Sequence, residues 1–335
     1  MCNSVARGLN NEEKNKKIND KNGSAKSGPS GEKYMSETMF GIFHTAYERA
    51  GKHFFDIAAC DYVNTVLVES DYKSEEFAVS LNELKKHPDK RAWVACSSLG
   101  FITKNEQTVA DTGEKSEFNP HTEMRADYKA RINEFIDYLK QKGWYDTIVG
   151  FYMDEPLLWN VKNDDLEEFS GYFRMVAAPD KRFFVCFSIA GVAPEFWTIN
   201  DVKPITPKSS QYLTDIAFDM YHKWSDDYLE ILRLMKERAG NREDLRIWMI
   251  PCTMNYRGNV TEEHCLEHLN NCYEVLKKQK NPGGLMCFTY YTFKAEEEDL
   301  GNIGLDKLSD PLYNNYWKRL TDRIKEIGRE IVSQK

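Results

Sequence analysis

Two adjacent carboxylates, Asp154 and Glu155, follow an apolar run that begins at Thr147 and are themselves followed by Pro156. A run of this length and composition predicts a buried strand. Pro156 has no N–H to give to a sheet, so strand pairing should stop there and the chain should turn away. In parallel α/β folds, chemistry is usually placed at the carboxyl ends of the strands. The sequence therefore predicts two acids at a functional mouth, although a strand that merely ends in polar residues has the same pattern.

The elements that would position these acids repeat along the chain. Apolar runs typical of strands lie at 39–43, 64–68, 91–96, 147–153, 182–187, 215–218, 246–250 and 284–288. Helical patterns lie at 74–86, 125–142, 164–176, 225–238, 261–278 and 309–331. Eight strands that alternate with helices predict an α/β fold of the (β/α)8 TIM barrel type. A doubly wound open sheet would also alternate, but neither G-x-G-x-x-G nor G-x-x-x-x-G-K-[ST] occurs, and no cofactor is expected.

The composition divides the chain into an amino-terminal tail and one domain. Residues 1–36 are rich in Asn, Lys, Ser and Gly and predict a flexible polar tail, followed by a single barrel domain over 37–335. The sequence lacks a run of ~20 apolar residues and the apolar core of a signal peptide. Cys96, Cys186, Cys252 and Cys287 fall inside apolar runs, which predicts buried thiols in a reducing compartment.

The lack of a membrane-spanning run or signal peptide, together with the cysteines in apolar runs, favours a cytoplasmic location. Cys2, followed by a polar segment, leaves a lipid-anchored position at the cell surface as the alternative, if a lipoprotein signal was removed. The net charge of −8 and the pI near 5.5 argue against nucleic acid as a partner. Aromatic residues make up 13% of the chain, which suits flat, stackable ligands as well as packing.

Several strand ends besides the fourth carry polar or aromatic side chains. The candidates there are His44, Glu69, Asp154, Glu155, Trp159, Asp219, Tyr221, Trp224 and Tyr291. Hydrolysis of a glycosidic bond needs a protonated acid beside the leaving oxygen and a second group that stabilises the developing positive charge. Aromatic rings stack on the C–H faces of sugars. The predicted mouth offers both kinds of side chain.

The segment Phe151-Tyr-Met-Asp-Glu-Pro156 resembles the glycoside hydrolase superfamily of (β/α)8 barrels, in which the general acid Glu lies at the end of the fourth strand. The resemblance implies a glycosidase that acts on an oligosaccharide or glycoconjugate, with Glu155 as the general acid. Many retaining members have Asn before this Glu and a nucleophilic Glu at the end of strand 7. Here Asp154 replaces the Asn, and Pro251-Cys-Thr-Met254 contains no acid.

The resemblance leaves the second catalytic group open. Chitinase-like and hexosaminidase-like members use the acetamido group of the substrate, with an Asp beside the acid Glu and, in chitinase-like members, a Tyr on strand 6. Asp154 and Tyr221 resemble that arrangement, whereas Asp219 or Glu69 would serve a conventional carboxylate pair. Asp154, Glu155, Asp219 and Tyr221 are thus the candidate catalytic residues. The candidate substrate-binding residues are His44, Glu69, Trp159, Trp224 and Tyr291.

Two alternatives belong to other functional classes. A non-catalytic carbohydrate-binding barrel would keep the aromatic residues and tolerate the loss of Glu155. A zinc-dependent hydrolase would use His264-x-x-Glu267-His268, because histidines four residues apart share a helix face. That motif begins the predicted seventh helix, on the outer ring, so a solvated helix face is the preferred interpretation and no metal is expected.

Overall fold

The computed structural model describes residues 38–104, 121–197, 202–221, 224–256, 258–292 and 302–334. Its strands are β1 (Met39–Ile42), β2 (Thr65–Val68), β3 (Arg91–Ala95), β4 (Phe101–Lys104), β5 (His121–Met124), β6 (Ile148–Asp154), β7 (Arg182–Ser188), β8 (Asp215–Asp219), β9 (Arg246–Met249) and β10 (Pro282–Cys287). β4 and β5 form a separate antiparallel pair, and the other eight strands form one parallel sheet. The predicted tail, 1–36, and Cys2 lie outside the described residues.

The eight-stranded sheet closes on itself. Its order is β1-β10-β9-β8-β7-β6-β3-β2, so the two end strands are the first two of the chain. Asn64, just before β2, joins them: its N–H donates to the carbonyl of Phe40 (3.0 Å), and its side-chain Oδ1 accepts from the N–H of Phe40 (2.7 Å). The predicted (β/α)8 barrel is confirmed, and the open-sheet alternative is wrong.

Helices follow the strands and cover the outside of the barrel. They are α1 (Tyr47–Ala50), α2 (His53–Ala59), α3 (Glu75–Leu84), α4 (Ser97–Gly100), α5 (Tyr128–Gln141), α6 (Asn163–Val176), α7 (Ile189–Val192), α8 (Asp226–Arg238), α9 (Glu262–Lys277), α10 (Leu305–Leu308) and α11 (Lys318–Ser333). The predicted start of the last helix at 309 is wrong, because α11 begins at Lys318. Pro311 and the pair Asn314-Asn315 favour turns over a continuous helix. None of the described helices is long and apolar enough to cross a membrane.

The strands bury two apolar layers, one against the helices and one inside the barrel. Alternation along each strand sends every second side chain inward. The inner layer contains Trp93, Phe184 and Trp248, whose rings contact one another, and Phe184 stacks on Trp248 with centroids 4.9 Å apart. Gly150 and Gly284 make room for the two indoles, because a Cβ at either position would come within 2.6 Å or less of a Trp ring.

A buried ion pair, here called the barrel floor, closes the amino-terminal end of the interior. Arg182 donates from Nε (2.8 Å) and Nη2 to the two carboxylate oxygens of Asp215, and both side chains are fully buried. Trp248 Nε1 and Thr214 Oγ1 each donate to the same carboxylate at 2.7 Å. The guanidinium lies 5.2 Å from the ring centre of Trp93. Each charge on the floor therefore has an opposite charge and hydrogen bonds.

Candidate active site

The end of β6 presents Asp154 at the carboxyl-terminal mouth. Tyr152 and Asp154 are two residues apart and so share the inner face of the strand, and the Tyr152 hydroxyl donates to Asp154 Oδ1 at 2.5 Å. Asp154 is open to water on one side, while protein surrounds its carboxylate on the others. This burial is the main cause that raises the pKa of Asp154 to about 7. Repulsion from Asp219 and Glu69 adds to the rise, while the Tyr152 hydroxyl opposes it.

Glu155 leaves the strand in a left-handed conformation, with φ at 38°. Few residues other than glycine adopt such a φ, and when they do so at a strand end they often belong to a functional site. Its N–H still donates to the Cys186 carbonyl at 2.8 Å, which fixes the backbone against β7. Its carboxyl lies near that of Asp219, which ends β8 on the other side of β7. Burial first, and then repulsion from Asp219 and Asp154, raise the pKa of Glu155.

Asp219 ends β8, opposite Ser188 of β7. Its carboxyl lies near the carboxyl of Glu155 and the hydroxyl of Tyr221. Burial raises the pKa of Asp219, while the Tyr221 hydroxyl and the Glu155 carboxyl oppose the rise. Burial and repulsion therefore favour a retained proton on this pair of neighbouring carboxyls.

The other side of the mouth contains a His–Glu pair. His44 Nδ1 and Glu69 Oε2 are 2.6 Å apart, and both side chains are largely buried. His44, like Glu155, has a positive φ, at 60°. Glu48 on α1 accepts the backbone N–H groups of Glu69 (2.7 Å) and Ser70 (3.2 Å), so a second carboxylate fixes the loop that carries Glu69.

Glu69, Asp154, Glu155 and Asp219 are here called the acid cluster. An aromatic wall stands beside it: the ring of Phe288, just after β10, stacks on Tyr221 with centroids 4.5 Å apart and contacts His44 at 5.5 Å. The sequence prediction missed Phe288, Tyr152 and Glu48. The sequence position of the first two could have indicated them, because Phe288 ends the predicted eighth strand and Tyr152 lies two residues before Asp154. Nothing in the sequence around Glu48 indicates its role.

The remaining candidate residues are Trp224, Trp159 and Tyr291. Trp224 stacks on Tyr228 of α8 (4.4 Å) and approaches His268 (5.7 Å), which is a packing environment. Trp159 is half-buried, and its N–H donates to the Glu155 carbonyl at 3.2 Å. Tyr291 is half-buried beneath the guanidinium of Arg49 (5.9 Å). Their roles in substrate binding stay predictions.

The zinc motif does not form a metal site in the described residues. His268 is buried, and its Nδ1 accepts the N–H of Cys252 at 3.0 Å. Glu267 is exposed on the other side of α9. In the part of the chain that the structure describes, no three His, Cys, Asp or Glu side chains are grouped so that they could hold a metal ion.

Comparison with solved structures supports the barrel fold. No protein-family model matches the sequence, and no curated protein matches it. Among solved structures, a glucosidase from Croceicoccus marinus has a TM-score of 0.52 at 9% identity, covering 88% of this chain and 67% of that one. A GH5_18 protein from Bifidobacterium longum subsp. infantis has a TM-score of 0.53 at 11% identity, covering 88% and 79%. The chain thus has the (β/α)8 barrel fold that these glycoside hydrolases have.

Proposed function

We propose that this protein hydrolyses glycosidic bonds in an oligosaccharide or glycoconjugate, with Glu155 as the general acid. The observation that carries this proposal is the placement of Glu155 and Asp219 on either side of β7 at the barrel mouth, where Asp219 raises the pKa of Glu155. A general acid must be protonated at the pH at which it works, and a carboxyl meets this condition when burial and like charges raise its pKa. Both causes act on Glu155.

Asp219 is the second catalytic group in this proposal. In this proposal it accepts hydrogen bonds from Glu155 and Tyr221, two groups that oppose the rise in its pKa. An ionised carboxylate at this place stabilises the positive charge that develops on the sugar as the bond breaks. When the substrate oxygen enters, the proton of Glu155 turns from Asp219 towards that oxygen. Asp219 is then left with the Tyr221 hydroxyl and is free to face the sugar.

Asp154 and the His44–Glu69 pair bind sugar hydroxyl groups in this proposal. Their carboxylate and imidazole groups lie at the mouth and hold fixed orientations, through the Tyr152 hydroxyl (2.5 Å) and the His44–Glu69 contact (2.6 Å). The stacked rings of Phe288 and Tyr221 supply an apolar surface beside them. Acetamido assistance is the other route to the same products, and it requires a substrate with a 2-acetamido group.

The test compares Glu155→Gln with the parent on two kinds of substrate. Gln keeps the shape and hydrogen bonding of Glu but cannot donate the proton. Turnover of glycosides with unactivated leaving groups should fall by roughly 10²–10⁴-fold, the usual share of general acid catalysis. Glycosides with activated aryl leaving groups should lose much less, because they need little protonation. Glu76→Gln, at an exposed position on α3, is the matched control and should leave both rates unchanged.

Two outcomes would contradict the proposal. A Glu155→Gln variant that cleaves unactivated glycosides at the parental rate would remove Glu155 from the chemistry. A parent protein that binds glycans but cleaves none in a broad panel would favour the carbohydrate-binding barrel. Substrates with and without a 2-acetamido group separate the two routes, since only the assisted route loses all turnover when that group is absent.

A further inference from the structure

Two free cysteine thiols lie near each other between the segment that follows β9 and the start of α9. Cys252 Sγ and Cys265 Sγ are 3.7 and 3.5 Å from the carbonyl oxygen of Met254, to which both thiols donate. Both sulfur atoms therefore lie within 3.7 Å of a single oxygen atom. This pair of side chains is here called the dithiol.

The backbone holds the dithiol in this arrangement. The N–H of Cys252 donates to His268 Nδ1 at 3.0 Å. Cys265 lies three residues before His268 and so shares its face of α9. The helix face that carries Cys265 is therefore packed against the backbone of Cys252. Cys252 is also paired with Phe288 in a parallel bridge, so it belongs to the extended end of the barrel sheet.

The two thiols also change each other's acidity. The neighbouring thiol of Cys265 holds the pKa of Cys252 below its ordinary value, against the opposing effect of burial. Cys252, together with burial, raises the pKa of Cys265. Because the thiolate is the nucleophilic form of cysteine, Cys252 is the thiol that attacks and Cys265 is its protonated partner. An attacking thiol beside a resolving thiol is the arrangement that oxidation to a disulfide requires.

A cavity of about 290 Å³ gives small molecules a route to the dithiol. Cys252 and Cys265 both line it, and so do the polar residues Tyr256, Asn259 and His264. Asn259 is exposed, so this part of the lining lies at the surface. The two cysteines are only 2% and 1% exposed, so a bulky reagent is kept away from them. Hydrogen peroxide is little larger than water, and the cavity is many times the size that a water molecule needs.

We propose that Cys252 and Cys265 are a modification site, at which a hydroperoxide oxidises the two thiols to a disulfide. With hydrogen peroxide, the thiolate of Cys252 attacks one oxygen, the O–O bond breaks, and the other oxygen takes up the proton that the thiol lost and leaves as water. Cys252 is then a sulfenic acid. The sulfur of Cys265 attacks the sulfenic sulfur, the S–S bond forms, and the sulfenic oxygen leaves as a second water with the proton of Cys265.

The two thiols together lose two electrons and two protons, and one peroxide is reduced to two water molecules. The new bond ties the segment after β9 to α9. In a reducing compartment the dithiol keeps the free form that the structure has until an oxidant enters. The proposal does not depend on glycosidase activity.

The experiment maps the disulfide in the full chain. Reduced protein is treated with hydrogen peroxide, the remaining thiols are alkylated after unfolding, and the protein is digested without a reductant. Cleavage after Arg257 and after Glu267 places Cys252, Cys265 and Cys272 on three separate peptides. We expect the peptides of Cys252 and Cys265 to be joined, with a mass lower by two hydrogen atoms than their sum, and to separate when dithiothreitol is added.

Three variants separate the roles of the thiols. Cys265→Ser removes the resolving thiol, so Cys252 should stop at the sulfenic acid and be trapped by dimedone. Cys252→Ser should leave Cys265 without a dimedone adduct, because the attacking thiol is gone. Cys272→Ser is the matched control: this buried thiol also lies on α9 but contacts the Tyr228 hydroxyl (3.6 Å), and its loss should leave the cross-link unchanged.

Three results would overturn the proposal, and the parent protein alone suffices to obtain them. In the first, Cys252 and Cys265 stay fully open to alkylation after peroxide treatment that oxidises the half-buried thiol of Cys60. In the second, Cys252 is joined to a cysteine other than Cys265. In the third, protein unfolded in urea forms the cross-link as fast as folded protein does, which would mean that closeness along the chain, rather than the folded arrangement, brings the thiols together.

Discussion

The two ends of the barrel interior stabilise buried carboxyl groups in different ways. At the floor, Asp215 receives the guanidinium of Arg182 on both oxygens, and Trp248 and Thr214 add further donors. At the mouth, burial raises the pKa values of Asp154, Glu155 and Asp219, and repulsion from Asp219 adds to the rise at Asp154 and Glu155. The carboxylate charge is neutralised by an opposite charge at the floor and by a retained proton at the mouth.

This difference separates a structural use of charge from a chemical one. At the floor, the two ions are paired and hydrogen-bonded, so they hold the strands together. Carboxyls that keep a proton because burial and neighbouring carboxyls disfavour its loss can donate that proton near neutral pH. The comparison predicts that substitutions at the floor reduce stability, whereas neutral substitutions at the mouth raise stability and reduce activity.

Breaking the floor should have the largest effect on stability. Asp215→Asn leaves the Arg182 guanidinium buried without an opposite charge, and we expect the free energy of unfolding to fall by about 3–5 kcal/mol. Urea denaturation of the parent and the variant measures this. The matched control is the double variant Arg182→Met with Asp215→Leu, which removes both charges and should lose less than Asp215→Asn alone. If the single variant loses under 1 kcal/mol, the floor pair is not a stabilising feature.

Glu48 provides an intermediate case, because it is a buried carboxylate bonded to backbone N–H groups. Glu48→Ala leaves the N–H groups of Glu69 and Ser70 without this acceptor, and we expect a loss of about 1–3 kcal/mol in urea denaturation. Glu48→Gln keeps an acceptor oxygen. Since burial raises the pKa of Glu48, the uncharged Gln should cost less than Ala. Equal losses in the two variants would show that the negative charge, rather than the acceptor, holds the loop.

Neutralising the mouth should have the smallest effect, with the opposite sign. Glu155→Gln should raise the free energy of unfolding at pH 8 by about 0.5–2 kcal/mol, because it removes a buried acid that must otherwise ionise. Asp154→Asn should gain less, since water at its open side screens the repulsion. Denaturation at pH 8 and pH 4 measures both gains.

The sign of the pH dependence follows from the raised pKa values. A carboxyl whose pKa is higher in the folded state binds more protons there than in the unfolded chain, so its presence lowers stability as pH rises through that window. For Asp154 the window runs from its ordinary value near 4 to about 7. The gain from Asp154→Asn should therefore vanish near pH 4. A gain that persists unchanged at pH 4 would mean that packing, rather than charge, caused it.

Most of the fold was predictable from the sequence, because strand and helix periods are local properties. The eight apolar runs became the eight barrel strands with small shifts at their ends. The start of α11 was wrong, since helical spacing of apolar residues alone does not reveal the turn around Pro311. The contact through which Asn64 closes the barrel could not be foreseen either. Its side chain accepts the N–H of Phe40 in place of a backbone carbonyl, and the apolar pattern of the two strands gives no sign of this.

The site was predictable where it depends on strand ends and not where it depends on contacts across the barrel. The carboxyl ends of parallel strands meet at one mouth, which explains why Asp154, Glu155 and Asp219 were expected together. The effect of Asp219 on the pKa of Glu155 depends on the distance between two side chains that lie on opposite sides of β7. The role of Glu48 in holding the loop of Glu69 depends on a helix–loop contact that no motif encodes.

The left-handed φ values of His44 and Glu155 have an evolutionary consequence. Glycine or asparagine would adopt such φ values more easily, since this backbone conformation costs other residues about 1–3 kcal/mol each. A lineage that no longer needs chemistry at the mouth should therefore drift towards Gly or Asn at both sites and gain stability by doing so. A lineage that keeps His and Glu there bears that cost in every generation, as expected if both side chains serve the function proposed above.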